Sequence, residues 1–266
     1  MTIAEKIIRA KTDYDEVYAK GIEVGKSQGG NTEEAYNQGF EAGKKSQYDE
    51  FWDAFQDYGN KTNYANAFGG YWNEKTLRPK YDIVPTNMYM FTHLDARGGT
   101  KAIEIEDLAQ HFENLGIKLD TSKCNNFQYA FTSHLATKRL GVIDTRSASN
   151  GLATQFIFNC PVNTIDELIL AETHVYNNYS FLAPLKNVKF SGCIGKSIYF
   201  QNTVLTPESM ISAIGILKNY NDTEYEGVYE IKFSTSCWNA LEAYGNAPEN
   251  YTTWAEYVQY GLGWNI

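Results

Sequence analysis

The sequence predicts an α+β protein: N-terminal helices, then an irregular solenoid of short strands, then a C-terminal α/β cap. A repeated phrase is the main observation, because YMFTHL at 89–94 returns as YAFTSHL at 129–135 and more loosely as FIFNC at 156–160. Phe91, Phe131 and Phe158 each lie twelve residues before an apolar strand position. A recurring turn-plus-strand unit is typical of a solenoid, in which each unit buries its apolar edge against its neighbours. We therefore expect these three rings to be core positions of successive units.

Residues 1–58 are expected to form a helical oligomerisation or attachment segment. Helical spacing of apolar residues runs over 2–28 and again from about 32 to 58, and both stretches contain two glycines four residues apart. Glycine costs a helix about 1 kcal/mol relative to alanine, so glycines at this spacing favour close helix packing. The alternative is a weak helical linker that tolerates glycine. The predicted oligomerisation residues are Gly21, Gly25, Gly39 and Gly43, and the expected assembly is a homo-oligomer such as a trimer.

Residues 59–205 are expected to hold the solenoid with its N-terminal cap, and residues 206–266 the C-terminal α/β cap. Short runs of alternating or apolar residues predict the strands. They are Ala102–Glu106, Ile117–Leu119, Leu140–Asp144, Leu168–Ala171, Val188–Phe190 and Ile198–Phe200. In the cap, proline at the first helical position predicts a helix after Thr206, Ser236 is the predicted N-cap of the next helix, and a final helix is expected over Thr252–Tyr260.

The composition favours recognition and disfavours nucleic acid. The net charge of −9 opposes binding to phosphate backbones and to anionic membranes. Aromatic residues make up 15% of the chain, with 20 tyrosines, and tyrosine is enriched at recognition surfaces. Tyrosine also favours strands, which is the alternative explanation. The N-terminus shows no signal peptide and no apolar run approaches the length of a membrane span, so we expect no membrane insertion.

The repeats resemble the irregular leucine-rich repeats of bacterial BspA-like surface proteins, in which a phrase such as Ala130-Phe131 precedes a strand. The chain as a whole resembles leucine-rich-repeat proteins of gut Firmicutes and their phages. The resembling segments are 5–8, 13–15, 48–56 and 205–264. The resemblance implies a leucine-rich-repeat-like solenoid and no catalytic residues. The leucine positions are often Ile, Val or Phe, and the asparagine ladder usual in such repeats is not evident.

Catalytic and metal-binding motifs are weak. Gly192–Ser197 ends in Gly-Lys-Ser, but a phosphate-binding loop requires glycine where Phe190 stands. The histidines (His93, His111, His134 and His174) do not suggest three converging metal ligands, and the four cysteines lack CxxC spacing. Glu104 and Glu106, joined by Asp144 and Glu172 from neighbouring units, are the candidate acids of a glycan depolymerase, and the alternative is a solvated acidic face. We expect no enzyme activity, cofactor or metal.

The sequence thus predicts a non-enzymatic phage virion or surface adhesion protein that binds a host-surface glycan or protein. Two alternatives remain: a glycan depolymerase of a phage tail, and a purely structural virion component. The expected location is the virion or, alternatively, the bacterial cytoplasm. Tyrosine rings suit sugar faces because they combine apolar area with a polar tip. The candidate ligand-binding residues are Tyr89, Tyr129, Tyr176, Tyr179 and Tyr199.

Overall fold

The computed structural model describes residues 73–75, 77–79, 82–86, 103–127, 130–131, 136–148, 156–176, 179–221 and 229–266. These residues combine helices with small parallel sheets, so the α+β class is confirmed. The predicted N-terminal helices, with Gly21, Gly25, Gly39 and Gly43, lie outside the described residues. So do Tyr89, Tyr129 and the first copy of the repeated phrase.

The helices and strands follow one another in a simple order. Helix α1 spans Leu108–Asn114 and strand β1 spans Arg139–Asp144. Four strands follow: β2 at Ile157–Phe158, β3 at Thr164–Leu170, β4 at Phe181–Leu182 and β5 at Asn187–Gly192. The chain ends with β6 (Ile198–Phe200), α2 (Pro207–Ile214), β7 (Ile231–Phe233), α3 (Thr235–Tyr244) and the short α4 (Trp254–Glu256), which continues as a π-helical turn over Tyr257–Gly261.

Every strand pairing among the described residues is parallel. The main sheet has the order β1-β3-β5, and β2 pairs with β4 and β6 with β7 in two smaller sheets. Within the main sheet Leu140 aligns with Ile165, which aligns with Val188, and all three side chains are buried. Isolated bridges, such as Asp107 with Arg139, are parallel too. The chain must cross back between two parallel strands before the second strand begins. Here the connections align the strands so that equivalent residues of successive strands lie on the same buried face.

A row of phenylalanine rings runs through the core. Phe156 contacts Phe127 and Phe181, with ring centroids 5.7 Å and 6.2 Å away. The row continues from Phe181 to Phe200 at 5.1 Å and from Phe200 to Phe233 at 5.4 Å. Such ring contacts contribute beyond their buried area, by about 0.5–1.5 kcal/mol each. The row therefore ties the strands of the small sheets to the C-terminal elements.

The predicted core rings are corrected at one position. Phe131 is fully buried, as expected, but its bridge partner is Ile157, and Phe158 is only half-buried. The third copy of the phrase is therefore in register one residue earlier than predicted. Successive strand residues face opposite sides, so a shift of one residue moves Phe158 away from the core. Phe91 lies outside the described residues.

Threonine hydroxyls connect neighbouring segments. The buried hydroxyl of Thr121 donates to the carbonyl of Asp144 and accepts from its N–H. Thr137 donates to the carbonyl of Ile105 in the same way. Buried main-chain polar groups need hydrogen-bond partners, and the short threonine side chain places a hydroxyl within reach of them in a buried turn.

Helix α2 covers the edge of β5 and replaces the next strand. The N–H of Val188 donates to the Ser209 hydroxyl at 2.9 Å, and that hydroxyl donates to the carbonyl of Lys186 at 3.1 Å. The N–H of Phe190 donates to the Ser212 hydroxyl at 2.7 Å, and that hydroxyl donates back to the Phe190 carbonyl. The two serines therefore occupy the ladder positions that a further strand would fill.

The predicted caps are largely confirmed. Thr206 caps α2 by accepting from the N–H of Ser209, and Pro207 occupies the first turn. The next helix begins two residues earlier than expected, because Ser234 rather than Ser236 accepts from the N–H of Cys237. The predicted final helix is present as α4 and its π-helical turn, capped by Thr253. No helix in the described part of the chain has both the length and the apolar character needed to cross a bilayer.

Candidate binding surface

The outer face of the main sheet carries ion pairs that join neighbouring segments. Arg139 on β1 bonds Asp166 on β3 and Asp107 before α1, and Lys189 on β5 pairs with Glu167 at 3.1 Å. These hydrogen bonds raise the pKa of the Arg139 guanidinium, Asp166 contributing most. The face therefore carries many charged side chains, but each of these basic residues is neutralised by an acidic neighbour.

The acids considered for catalysis have basic partners. Glu106 pairs with Lys138 at 2.9 Å and Glu172 pairs with Lys218, while Glu104 is exposed. Asp144 is 7% exposed and pairs with Arg146. Burial would raise the pKa of this carboxyl, but the hydrogen bonds from Arg146 outweigh it and lower the pKa. The environment of Asp144 therefore stabilises its carboxylate anion.

Tyr199, Glu230 and Lys232 form a compact triad on the outer side of β6 and β7. Tyr199 donates its hydroxyl to Glu230 at 2.9 Å, and Lys232 lies 3.1 Å from the same carboxylate oxygen. The Lys232 ammonium also lies 5.6 Å from the Tyr199 ring centroid, within cation–π range. The parallel register explains the proximity, because Tyr199 aligns with Lys232. Burial and the Glu230 charge raise the pKa of Tyr199, and the hydrogen bonds from Tyr199 and Lys232 lower the pKa of Glu230.

A second triad has the same composition. Lys218 pairs with Glu172 across 46 residues of sequence, and its ammonium lies 5.7 Å from the Tyr220 ring centroid. The Tyr220 hydroxyl donates to the carbonyl of Gly195. Glycine is required at 195, because a Cβ there would lie 2.5 Å from Glu172 Cγ and 2.6 Å from its carbonyl oxygen. The close approach of these backbones places Glu172 beside the tyrosine.

Tyr229 and Lys196 contact the second triad, and Tyr229 directly precedes Glu230 of the first triad in the chain. Lys196 donates to the Tyr229 hydroxyl at 2.7 Å, and the Tyr229 ring lies 5.0 Å from that of Tyr220. The fully buried Trp264 packs beneath both rings and donates its indole N–H to the carbonyl of Lys218 at 2.8 Å. We call the set the tyrosine–lysine surface; it comprises Glu172, Lys196, Tyr199, Lys218, Tyr220, Tyr229, Glu230 and Lys232.

The tyrosines predicted to bind a ligand differ in their location and exposure. Tyr199 belongs to the tyrosine–lysine surface, and Tyr179 is 56% exposed in the turn before β4. Tyr176 is a wrong prediction, because it is 1% exposed and its ring stacks on Phe181 at 6.3 Å. Burial raises the pKa of its hydroxyl, which faces the protein interior.

Sequence reasoning missed Tyr220, Tyr229 and the three lysines of the surface. A signal was present: each of the segments 196–199, 218–220 and 229–232 contains one lysine and one tyrosine within four residues. Sequence reasoning did not use this signal because the three segments lie on different parts of the chain, and their proximity depends on how the strands and turns stack.

The remaining candidates do not form a site. The 192–197 segment connects β5 to β6 and opens no helix, so it lacks the geometry of a phosphate-binding loop. The four cysteines are free thiols, and burial raises the pKa of the Cys160 thiol to about 11. His111 lies 2.5 Å from the carbonyl of Leu77 through its Nε2. In the stretches of chain that the structure describes, no three His, Cys, Asp or Glu residues are placed to hold a metal ion.

Comparison with protein-family models, with curated proteins and with solved structures found no match for this chain. The class that the fold and the surface define is an α+β protein of stacked parallel strands with a half-exposed surface of tyrosine, lysine and glutamate.

Proposed function

We propose that the chain is a non-enzymatic adhesion protein that binds a host-surface glycan or protein through the tyrosine–lysine surface. The observation that carries the proposal is that three half-buried tyrosines each lie against a lysine, and that two of these lysines are paired with glutamates. Tyrosine supplies large contact area at small entropic cost, and the neighbouring charges fix its position. Such a surface is organised before a ligand arrives, which lowers the cost of binding.

The proposal includes a leucine-rich-repeat-like solenoid from 59 to 205 with a C-terminal cap from 206 to 266. Main-sheet partners lie twenty-five residues apart between β1 and β3, and twenty-three and then twenty-two residues apart between β3 and β5, which are repeat lengths of this class. Helix α2 then ends the main sheet at β5. The setting we propose is a virion, with the N-terminal segment mediating self-assembly; this rests on the sequence resemblance described above.

The absence of an enzymatic role is part of the proposal. Glycoside hydrolysis needs two carboxyl groups with separated pKa values about 5–9.5 Å apart. Glu106, Asp144 and Glu172 each form an ion pair with a lysine or arginine, and the hydrogen bonds from Arg146 lower the pKa of Asp144. A catalytic acid would need the opposite environment.

Binding of the labelled full chain to intact bacterial cells and to purified envelope fractions tests the function. We expect saturable binding that Tyr220→Ala weakens, because this ring contacts the Tyr229 ring and the Lys218 ammonium. Tyr244→Ala is the control, since Tyr244 is exposed on α3, outside the surface. Absence of binding to every envelope fraction tried, or equal loss in both variants, would overturn the proposal.

A further inference from the structure

The two triads share a composition and the placement of the lysine, although the Tyr199 hydroxyl bonds Glu230 and the Tyr220 hydroxyl bonds the carbonyl of Gly195. In each, a lysine is ion-paired with a glutamate and its ammonium lies 5.6 Å or 5.7 Å from a tyrosine ring centroid. The charged side chains remain partly accessible: Glu230 and Lys232 are 34% and 40% exposed, and Glu172 and Lys218 are 50% and 37% exposed. Each triad therefore offers an acceptor, a donor and an aromatic ring to one incoming group.

Resting on the proposed adhesion function, we propose that each triad is a subsite for one sugar residue of a neutral polysaccharide. Two adjacent hydroxyls of a pyranose are a donor and an acceptor side by side. A carboxylate accepts from one hydroxyl while the neighbouring ammonium donates to the other, and these charge-assisted bonds are the stronger kind. The apolar C–H face of the sugar contacts the tyrosine edge or face that remains exposed.

The charge distribution selects a neutral ligand over an anionic one. Lys218 and Lys232 are each neutralised by a glutamate within the triad, so neither triad carries net positive charge. The whole chain carries −9 and repels polyanions such as uronate or polyol-phosphate polymers at long range. A neutral polysaccharide loses nothing to this repulsion, and it keeps both lysine–glutamate pairs intact.

The test compares binding of the full chain to two groups of purified polymers by biolayer interferometry. The neutral group is a glucan, a mannan and a galactan, and the anionic group is a polygalacturonate and a polyglycerol phosphate. We expect binding to a neutral polymer only, with an affinity that changes less than about twofold between about 0.05 and 0.5 M salt, because no counterions are released.

Variants then locate the subsites. Glu230→Gln and Glu172→Gln are each expected to weaken binding about tenfold, the loss of one charge-assisted hydrogen bond. Glu167→Gln is the matched control, since Glu167 is also paired with a lysine but on β3, outside the tyrosine–lysine surface. Tyr199→Phe keeps the ring and removes the hydroxyl bond to Glu230, so it separates ring contact from the hydrogen-bond network. Thermal unfolding of each variant checks that the fold is retained.

Opposite results distinguish the possibilities. Binding to a polyanion that strengthens in Glu230→Gln and weakens with salt would overturn the neutral-ligand inference but leave the adhesion function standing. Binding to cells without binding to any purified polymer would also overturn it and would indicate a protein receptor. Absence of binding to cells as well would reject the adhesion function itself.

Discussion

Arg139 on β1 and Asp166 on β3 are joined by two parallel hydrogen bonds, Nε to Oδ1 at 2.8 Å and Nη2 to Oδ2 at 2.9 Å. The same guanidinium donates through Nη1 to Asp107 at 2.9 Å. One side chain thus holds three successive segments in register. Its planar fork is what permits this, since a lysine presents a single point charge.

Arg139→Lys is therefore expected to lower the free energy of unfolding by about 1 kcal/mol, near the upper limit for exposed ion pairs, because both side chains are about one-third exposed. Urea unfolding measures the change. Lys138→Ala is the control, because Lys138 makes one ion pair with the more exposed Glu106. Equal effects of the two substitutions would contradict a special role for the fork.

Ser209→Ala and Ser212→Ala test the cover of the β5 edge. Each leaves a strand N–H without its acceptor, and a buried unsatisfied donor costs about 1–3 kcal/mol. Ser147→Ala removes an exposed hydrogen bond to the carbonyl of Ser122 and should change stability by less than about 0.5 kcal/mol. Amide hydrogen exchange at Val188 and Phe190 should accelerate in the first two variants only.

Ile157→Ala and Phe158→Ala test the corrected register. Ile157 is fully buried and bridges Phe131, so its truncation should cost about 2–5 kcal/mol. Phe158 is half-buried and should cost less than half as much. Chemical denaturation of both variants gives the comparison. A larger loss at Phe158 would restore the register predicted from sequence.

His174 makes stability depend on pH. It is 5% exposed and its Nδ1 has no hydrogen-bond partner among the described residues, and burial lowers its pKa below the ordinary 6.5. The unfolded chain then binds the proton more readily than the folded chain. The stability that depends on neutral His174 is fully present above about pH 6.5, and it is lost as the pH falls below this value toward the folded-state pKa. Thermal unfolding between pH 7.5 and pH 5 should show this slope (~1 proton at most). His174→Phe should reduce the slope, and an unchanged slope would contradict the assignment.

The sequence predicted the positions of the strands better than the register between neighbouring strands. Alternating apolar residues located β5 and β6 well, because one face of each strand must be buried. The same reasoning aligned Phe158 one position away from its observed register and predicted that Tyr176 would be accessible to a ligand. Spacing alone does not reveal which of two neighbouring aromatic residues faces the core. The tyrosine–lysine surface was found only in part, through Tyr199. Its other members meet across separations such as that between Glu172 and Lys218, which no local pattern encodes.

The serines of α2 have a consequence for self-association. The last strand of a parallel sheet normally presents main-chain groups to which a strand of another molecule can add, the route to edge-to-edge aggregation. On β5 two of those groups are already bonded to Ser209 and Ser212, and a helix lies where an added strand would sit. Growth of the sheet by strand addition is therefore blocked at β5, and any ordered assembly of this protein must use a different surface.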